Sequence, residues 1–270
     1  MQKKTTRSSL NISTYNWPEA LNLCLLSVKA LKVLPGEVII ADDGSKDDTR
    51  QLIEKFQKDF PVPIKHVWQQ DEGFQLARVR NKGIAASSYE YIIQIDGDLI
   101  LHPMFVADHI AFSKKGSFTG GSRVLLNKPY SEELLRAGKI NVSLLNSGTT
   151  NKLNGVRSKA LTSYLSDRYR VNDIYSLRGC NMAFWRQDLL KVNGYNEELT
   201  GWGREDNEIA IRLVNSGISK RTLKFGGIAY HIYHTEDKKA RLEKNEVLLN
   251  ETIKNKTTYC VKGIDQYLDK

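Results

Sequence analysis

Asp96-Gly97-Asp98 places two carboxylates two residues apart, directly after the apolar run Tyr91-Ile92-Ile93-Gln94-Ile95. On extended backbone, residues two apart point to the same side, so both carboxylates can converge on one cation. Gly97 leaves space for a ligand to approach the backbone. Oxygen ligands suit magnesium or manganese, and such an ion can neutralise a diphosphate leaving group. The plain alternative is a polar strand end or a turn. A second acidic run, Asp42-Asp43-Gly44-Ser45-Lys46-Asp47-Asp48-Thr49, also follows an apolar stretch. It reads as a turn with a helix cap. It reads equally as a nucleoside loop, in which a carboxylate accepts from a uracil N–H or a ribose hydroxyl.

Between them, Gly73 to Gly83 joins a glycine-containing loop to a helix that carries Arg78 and Arg80. A guanidinium there can meet phosphate or pair with the acidic rim; for Arg78 a solvated helix face is the preferred account. Gly201-Trp202-Gly203-Arg204-Glu205-Asp206-Asn207 puts an acidic pair at a helix start. The helix dipole stabilises ionised carboxylates at that place, and one facing an acceptor hydroxyl is a reasonable general base. The bland account is helix capping, with Trp202 as a core anchor. His231 and His234 follow an apolar segment, and either imidazole could join a metal site.

The elements that must position these groups alternate. Strands are expected at Leu10–Ile12, Glu37–Ala41, Ile64–Trp68 and Tyr91–Ile95. Helices are expected from the Trp17-Pro18 pair, from Asp48 or Thr49, and over Phe74–Ala86. This βαβαβαβ order predicts an α/β fold, a mostly parallel sheet wrapped by helices, with ligands outside the carboxyl ends of its strands. Residues 115–178 read as long connections with helical pieces and an acceptor-binding insertion. Further helices are expected at Gln187–Val192 and Asp206–Val214, then a strand ending near Tyr230. The tail from Asp237 to Lys270 reads as a charged helix, with Leu242, Leu249 and Ile253 on one seam. One catalytic domain over 1–235 is expected, with a nucleotide half (1–100) and a metal and acceptor half (101–235), followed by the 236–270 extension.

The 270 residues carry a formal net charge of +9, which favours phosphate-bearing or anionic partners. Cys24, Cys180 and Cys260 lack paired spacing, so a zinc knuckle or disulfide scaffold is not indicated. The sequence holds no apolar signal segment and no run of the ~18 residues a membrane helix needs. A cytoplasmic protein is expected, peripheral on the inner membrane face if the basic residues Lys238, Lys239, Arg241 and Lys244 meet anionic lipid.

Taken in order, Ser13-Thr14-Tyr15-Asn16, Asp42-Asp43-Gly44-Ser45, Arg80-Asn81-Lys82-Gly83 and Asp96-Gly97-Asp98 resemble the inverting family 2 glycosyltransferases, which have the GT-A fold. Gly179 to Phe184 and Gly201 to Asp206 resemble the galactosyltransferase and chondroitin-polymerase branch. The resemblance implies a UDP-sugar donor, a Mn2+ or Mg2+ ion and a glycan or lipid-linked glycan acceptor. It further implies that Thr14 and Tyr15 line the nucleoside pocket, Asp43 reads the uracil with Asp42 close by, and Arg80 holds the nucleotide side. Asp96 would contact ribose or sugar and Asp98 the metal, with His234 favoured over His231 as the later ligand. Asp206 matches the base, Glu205 its positioning neighbour, and Asn181 and Trp202 the substrate side. Arg204 stands where that branch often has Gly, and Asn207 replaces a further acidic residue, so the donor sugar does not carry over. A nucleotidyltransferase is the alternative enzyme, but no glycine-and-lysine phosphate loop supports it. A nucleic-acid module is weaker still, because acidic groups occupy the ligand rim.

Overall fold

The computed structural model describes residues 7–235 and 242–268. Its first half is the expected alternation: Ser8–Thr14 (β1), Pro18–Lys29 (α1), Glu37–Asp42 (β2), Asp47–Gln57 (α2), Ile64–Trp68 (β3), Leu76–Ala86 (α3) and Tyr91–Asp96 (β4). Pro18 opens α1 at a position whose N–H is not needed. Every residue of β1 and β2 is buried, as expected of parallel strands covered on both faces. The strands are longer than their apolar runs because the polar ends, Ser8 and Asp42 among them, still pair: Ser8 with Tyr91, and Thr14 with Asp42. Helix α3 begins at Leu76, later than expected: Gln75 is its N-cap, in a non-helical conformation (φ −121°, ψ 42°), and gives its free N–H to the Asp43 carboxylate.

The second half comprises Leu99–Leu101 (β5), Phe105–Ala111 (α4), Ser117–Gly121 (β6), Arg123–Leu126 (β7), Lys128–Ala137 (α5), Thr149–Thr150 (β8), Lys159–Leu165 (α6), Asn181–Trp185 (β9), Arg186–Lys191 (α7), Glu205–Asn215 (α8), Ser219–Leu223 (β10), Ala229–His231 (β11) and Leu242–Lys254 (α9). Residues 115–178 are therefore more regular than expected. Strand β6 is Ser-Phe-Thr-Gly-Gly and lacks a strand pattern. Its last glycine is needed because a Cβ at Gly121 would lie 2.3 Å from the Asn181 side chain.

One seven-stranded sheet runs β10-β6-β9-β4-β1-β2-β3, with β9 antiparallel to β4 and β6. A smaller sheet runs β5-β11-β7-β8. This mostly parallel sheet flanked by helices is a GT-A fold. Leu10, Ile12, Leu25, Ile40 and Ile93 centre one core layer, and Ile92, Met182, Phe184, Tyr195 and Ile209 the other.

The tail departs from the expected continuous helix. Among the described residues of the tail, Leu242–Lys254 is α-helical; chain without regular structure follows, then a 3-10 turn at Ile264–Tyr267. Leu249 is buried but Ile253 is exposed, so the apolar seam is shorter than three residues. Ile264 joins the second core layer with Leu189 and Tyr195. Lys238, Lys239 and Arg241 lie outside the described residues; Lys244 is exposed on α9. No described helix is long and apolar enough to cross a membrane.

Candidate active site

The carboxyl ends of β1, β2 and β4 open into a cleft of about 890 Å³. A smaller cavity of about 390 Å³, beside Ser88, Lys115 and Arg186, lies at the opposite end of β4 and holds none of the rim carboxylates. At one end of the large cleft stand Thr14, Tyr15 and Asp43. The Asp43 carboxylate accepts from Gln69 Nε2 at 2.6 Å and from the Gln75 N–H at 2.9 Å. Burial nevertheless pushes it up to about 6, helped by the nearby charges of Asp71 and Asp42. Tyr15 is half exposed and donates its hydroxyl to Asp71 at 2.9 Å.

Asp42 is placed differently from its neighbour. It is fully buried, accepts from the Ser45 N–H at 2.8 Å and meets His66 Nε2 at 2.9 Å. It lies beneath the loop and does not line the cleft, because successive strand residues face opposite sides.

Asp98 follows the β4 end by two residues, and β11 brings two imidazoles to it. Nε2 of His231 and of His234 lie 3.3 and 3.2 Å from Asp98 Oδ2. One ligand atom from each of the three residues falls within 4.8 Å of the others. Both histidines converge, so no choice between them is imposed. Asp98 Oδ1 is buried without a hydrogen-bond partner among the described residues, and a cation would satisfy it. Burial acts to raise the Asp98 carboxyl, but the two imidazoles outweigh it and hold it below the usual range. Two nitrogens with one carboxylate fit a divalent cation that accepts imidazole, so these residues suit manganese better than magnesium.

Arg80, almost wholly buried, ties three acidic groups together. It donates to Asp206 Oδ1 at 2.8 Å and Asp96 Oδ1 at 3.1 Å, and stands 3.6 Å from Glu205 Oε1. It therefore pairs with the rim, one of the two options its sequence position allowed. Glu205 and Asp206 open α8, where the free N–H groups favour negative charge. Burial and then the Asp206 charge raise Glu205 to about 7. Burial, offset in part by Arg80, leaves Asp96 at about 6. Gly179 packs under the α8 end: a Cβ there would lie 2.1 Å from Asp206 Oδ2. Arg78 bonds Glu72 at 2.8 Å at the surface, as its solvated account expected.

Trp202 lines the cleft and is 38% exposed, so it is not a core anchor. Asn181 does not reach the cleft. It is fully buried in β9, with Nδ2 donating to the Ser122 and Gly227 carbonyls and Oδ1 facing His109 Nε2 at 3.0 Å. Its expected place on the substrate side is thus replaced by a role in tying β9 to neighbouring segments. The lining also includes Arg123, Tyr175 and Arg178, which the sequence did not single out. They come from the middle segment, Arg123 at the start of β7, Tyr175 in a 3-10 turn and Arg178 just after it, where no periodic pattern marks them.

Residues 9–159 match the family described as glycosyl transferase family 2, and residues 161–235 match the N-terminal domain of galactosyltransferase. The chain is similar to chondroitin synthase of Escherichia coli, 30% identical over 240 residues, covering 83% of this chain and 34% of that protein. It is 28% identical over 237 residues to hyaluronan synthase of Pasteurella multocida, covering 83% of this chain and 24% of that protein. The chain thus spans a quarter to a third of the length of these relatives. A crystal structure of S. aureus TarS 1-349 in complex with UDP-GlcNAc has a similar fold, with TM-score 0.66, 16% identity, and 97% and 69% of the two chains covered. With more than half of its length matched and the GT-A sheet in place, this chain belongs to glycosyl transferase family 2, with a galactosyltransferase-like second half.

Proposed function

We propose that this chain transfers a hexose or N-acetylhexosamine from a UDP-sugar to a hydroxyl of a glycan acceptor, with inversion at the anomeric carbon. The observation that carries the proposal is the single cleft. Its lining brings together Asp43, the Asp98–His231–His234 cluster, and Asp206 held by Arg80. Relatives named for the synthesis of chondroitin and hyaluronan support a sugar polymer as the product class. A similarly folded protein in complex with UDP-GlcNAc supports the donor class. Bacterial surface polysaccharide, of capsule or lipopolysaccharide type, is the setting these relatives favour.

In this reading Thr14, Tyr15 and Asp43 hold the nucleoside, with the ionised Asp43 accepting from the uracil. Asp98, His231 and His234 would hold a divalent cation, whose charge offsets that of the departing diphosphate. Arg80 fixes Oδ1 of Asp206, and Oδ2 takes the proton of the acceptor hydroxyl as the hydroxyl oxygen bonds to the anomeric carbon and the bond to the nucleoside diphosphate breaks. Asp96 and Glu205 orient donor and acceptor, and Trp202 offers its ring face to a sugar. One displacement inverts the anomeric centre and forms no glycosyl-enzyme bond.

Incubation with a panel of UDP-sugars and glycan acceptors tests this directly. Release of UDP with an inverted product linkage is expected. Release of pyrophosphate from a nucleoside triphosphate, or retention of configuration, would overturn it. Attachment to an anionic cytoplasmic membrane face belongs to the same proposal and draws on the net charge of +9. Absence of liposome sedimentation at low salt would remove that part.

A further inference from the structure

We infer that Arg123 is an anion-binding residue of the donor pocket, taking a negatively charged group beyond the nucleoside: the leaving phosphate or a carboxylate on the sugar. This rests on the nucleotide-sugar reading and adds a residue to it. Arg123 opens β7, is partly buried, and lines the same cleft as Asp96, Asp98 and Asp206. Its backbone is held on both sides. It pairs with Ala229 of β11, and its carbonyl accepts from Asn154 Nδ2 at 2.8 Å. The side chain thus springs from a rigid strand, which makes its position pre-set rather than induced.

What faces the guanidinium is too little. Its side-chain hydrogen bond among the described residues goes to Cys180 Sγ at 3.5 Å. Burial raises that thiol to about 12, so the sulfur is neutral and a weak acceptor. Asp96 and Asp98 act on Arg123 through space, yet among the described residues neither forms an ion pair with it. Arg80, by contrast, already has three carboxylates. A partly buried guanidinium with five donors and one thiol partner favours an arriving anion. Its partner Cys180 follows Gly179, which packs against Asp206, and Asp98 and Asp96 are near enough to act on Arg123 through space. Arg123 therefore shares one cleft lining with the candidate cation ligands and with Asp206, within reach of the charged part of a nucleotide sugar held there.

The test is calorimetric titration of Arg123→Gln, Arg123→Lys and the parent with UMP, UDP, a UDP-hexose and a UDP-hexuronate, with thermal melts to check folding. Loss of one charged hydrogen-bond partner should weaken UDP binding by about 10-fold or more, while UMP binding changes less than about 2-fold, and Arg123→Lys should restore part of the loss. That pattern assigns the leaving phosphate. A loss confined to UDP-hexuronate assigns the sugar carboxylate instead and equally supports an anion site. Equal weakening of UMP and UDP, or no change with any ligand, would overturn the inference. A parent that binds no UDP at all would instead sink the proposed function, which separates the two failures.

Discussion

Replacing Arg80 by Gln removes the cation that Asp96, Glu205 and Asp206 share. Removing one partner of a buried ion pair costs about 3–5 kcal/mol, because the remaining charge is left uncompensated. Here the Asp96 and Asp206 side chains are 32% and 19% exposed, so water screens part of the loss. The low end, about 3 kcal/mol, is therefore expected near pH 8. The cluster can also relieve itself by taking up protons. Glu205 already stands at about 7 and Asp96 at about 6, and loss of Arg80 raises both further. A carboxylate whose folded pKa exceeds its unfolded value binds more protons when folded. Its penalty is full above the folded pKa and fades as pH falls toward the unfolded value. A tenfold gain in proton affinity corresponds to about 1.4 kcal/mol, so the deficit should shrink to below about 2 kcal/mol by about pH 5.5. Urea unfolding of both proteins at a series of pH values measures it. A deficit independent of pH, or one under about 1 kcal/mol at pH 8, would refute the shared-cation account.

Two further outcomes follow from the same geometry. UDP affinity should fall as pH drops below about 6, by up to about tenfold per pH unit, as Asp43 takes up a proton and loses the charge that makes it a strong acceptor for the uracil N–H; a flat calorimetric profile between pH 5 and 7.5 would exclude Asp43 as the reader. His231→Ala and His234→Ala should each raise the manganese concentration for half-maximal transfer by about 10-fold or more, since loss of even an outer-shell partner costs about 10–100-fold; an unchanged requirement in either variant removes that residue from the ligand set.

Strands β2 and β4, whose ends carry Asp43 and Asp98, were legible in the sequence, because parallel strands buried on both faces are written as apolar, largely β-branched runs. Strand β1 and the half-buried edge strand β3 left shorter traces. The start of α8 was legible too, since two glycines and an acidic pair announce a turn and a helix N-terminus. What stayed hidden depends on contacts remote in sequence. Arg80 lies 126 residues from Asp206, and nothing local says that it answers three carboxylates and not a phosphate. Asp42 and Asp43 look equivalent in a row of letters, but the period of two along a strand sends one into the loop floor and the other into the cleft. Asn181 carries a polar side chain yet serves neighbouring backbone carbonyls, because β9 runs antiparallel through the middle of the sheet. The tail was read as one charged helix with Leu242, Leu249 and Ile253 on a seam, and the burial of Cys260 and Ile264 beyond α9 left no periodic trace.

The central claim, that Asp206 is the base of a glycosyl transfer, is tested most directly by comparing donor binding with turnover in Asp206→Asn. The substitution keeps the shape and an acceptor for Arg80, and leaves Asp43, Asp98 and both histidines in place. Calorimetry should therefore give a UDP affinity close to that of the parent. Transfer to the acceptor should fall at least about 100-fold, the low end of general acid–base contributions. Near-normal transfer by Asp206→Asn, with Glu205→Gln inactive but folded, would contradict the claim and move the base to Glu205.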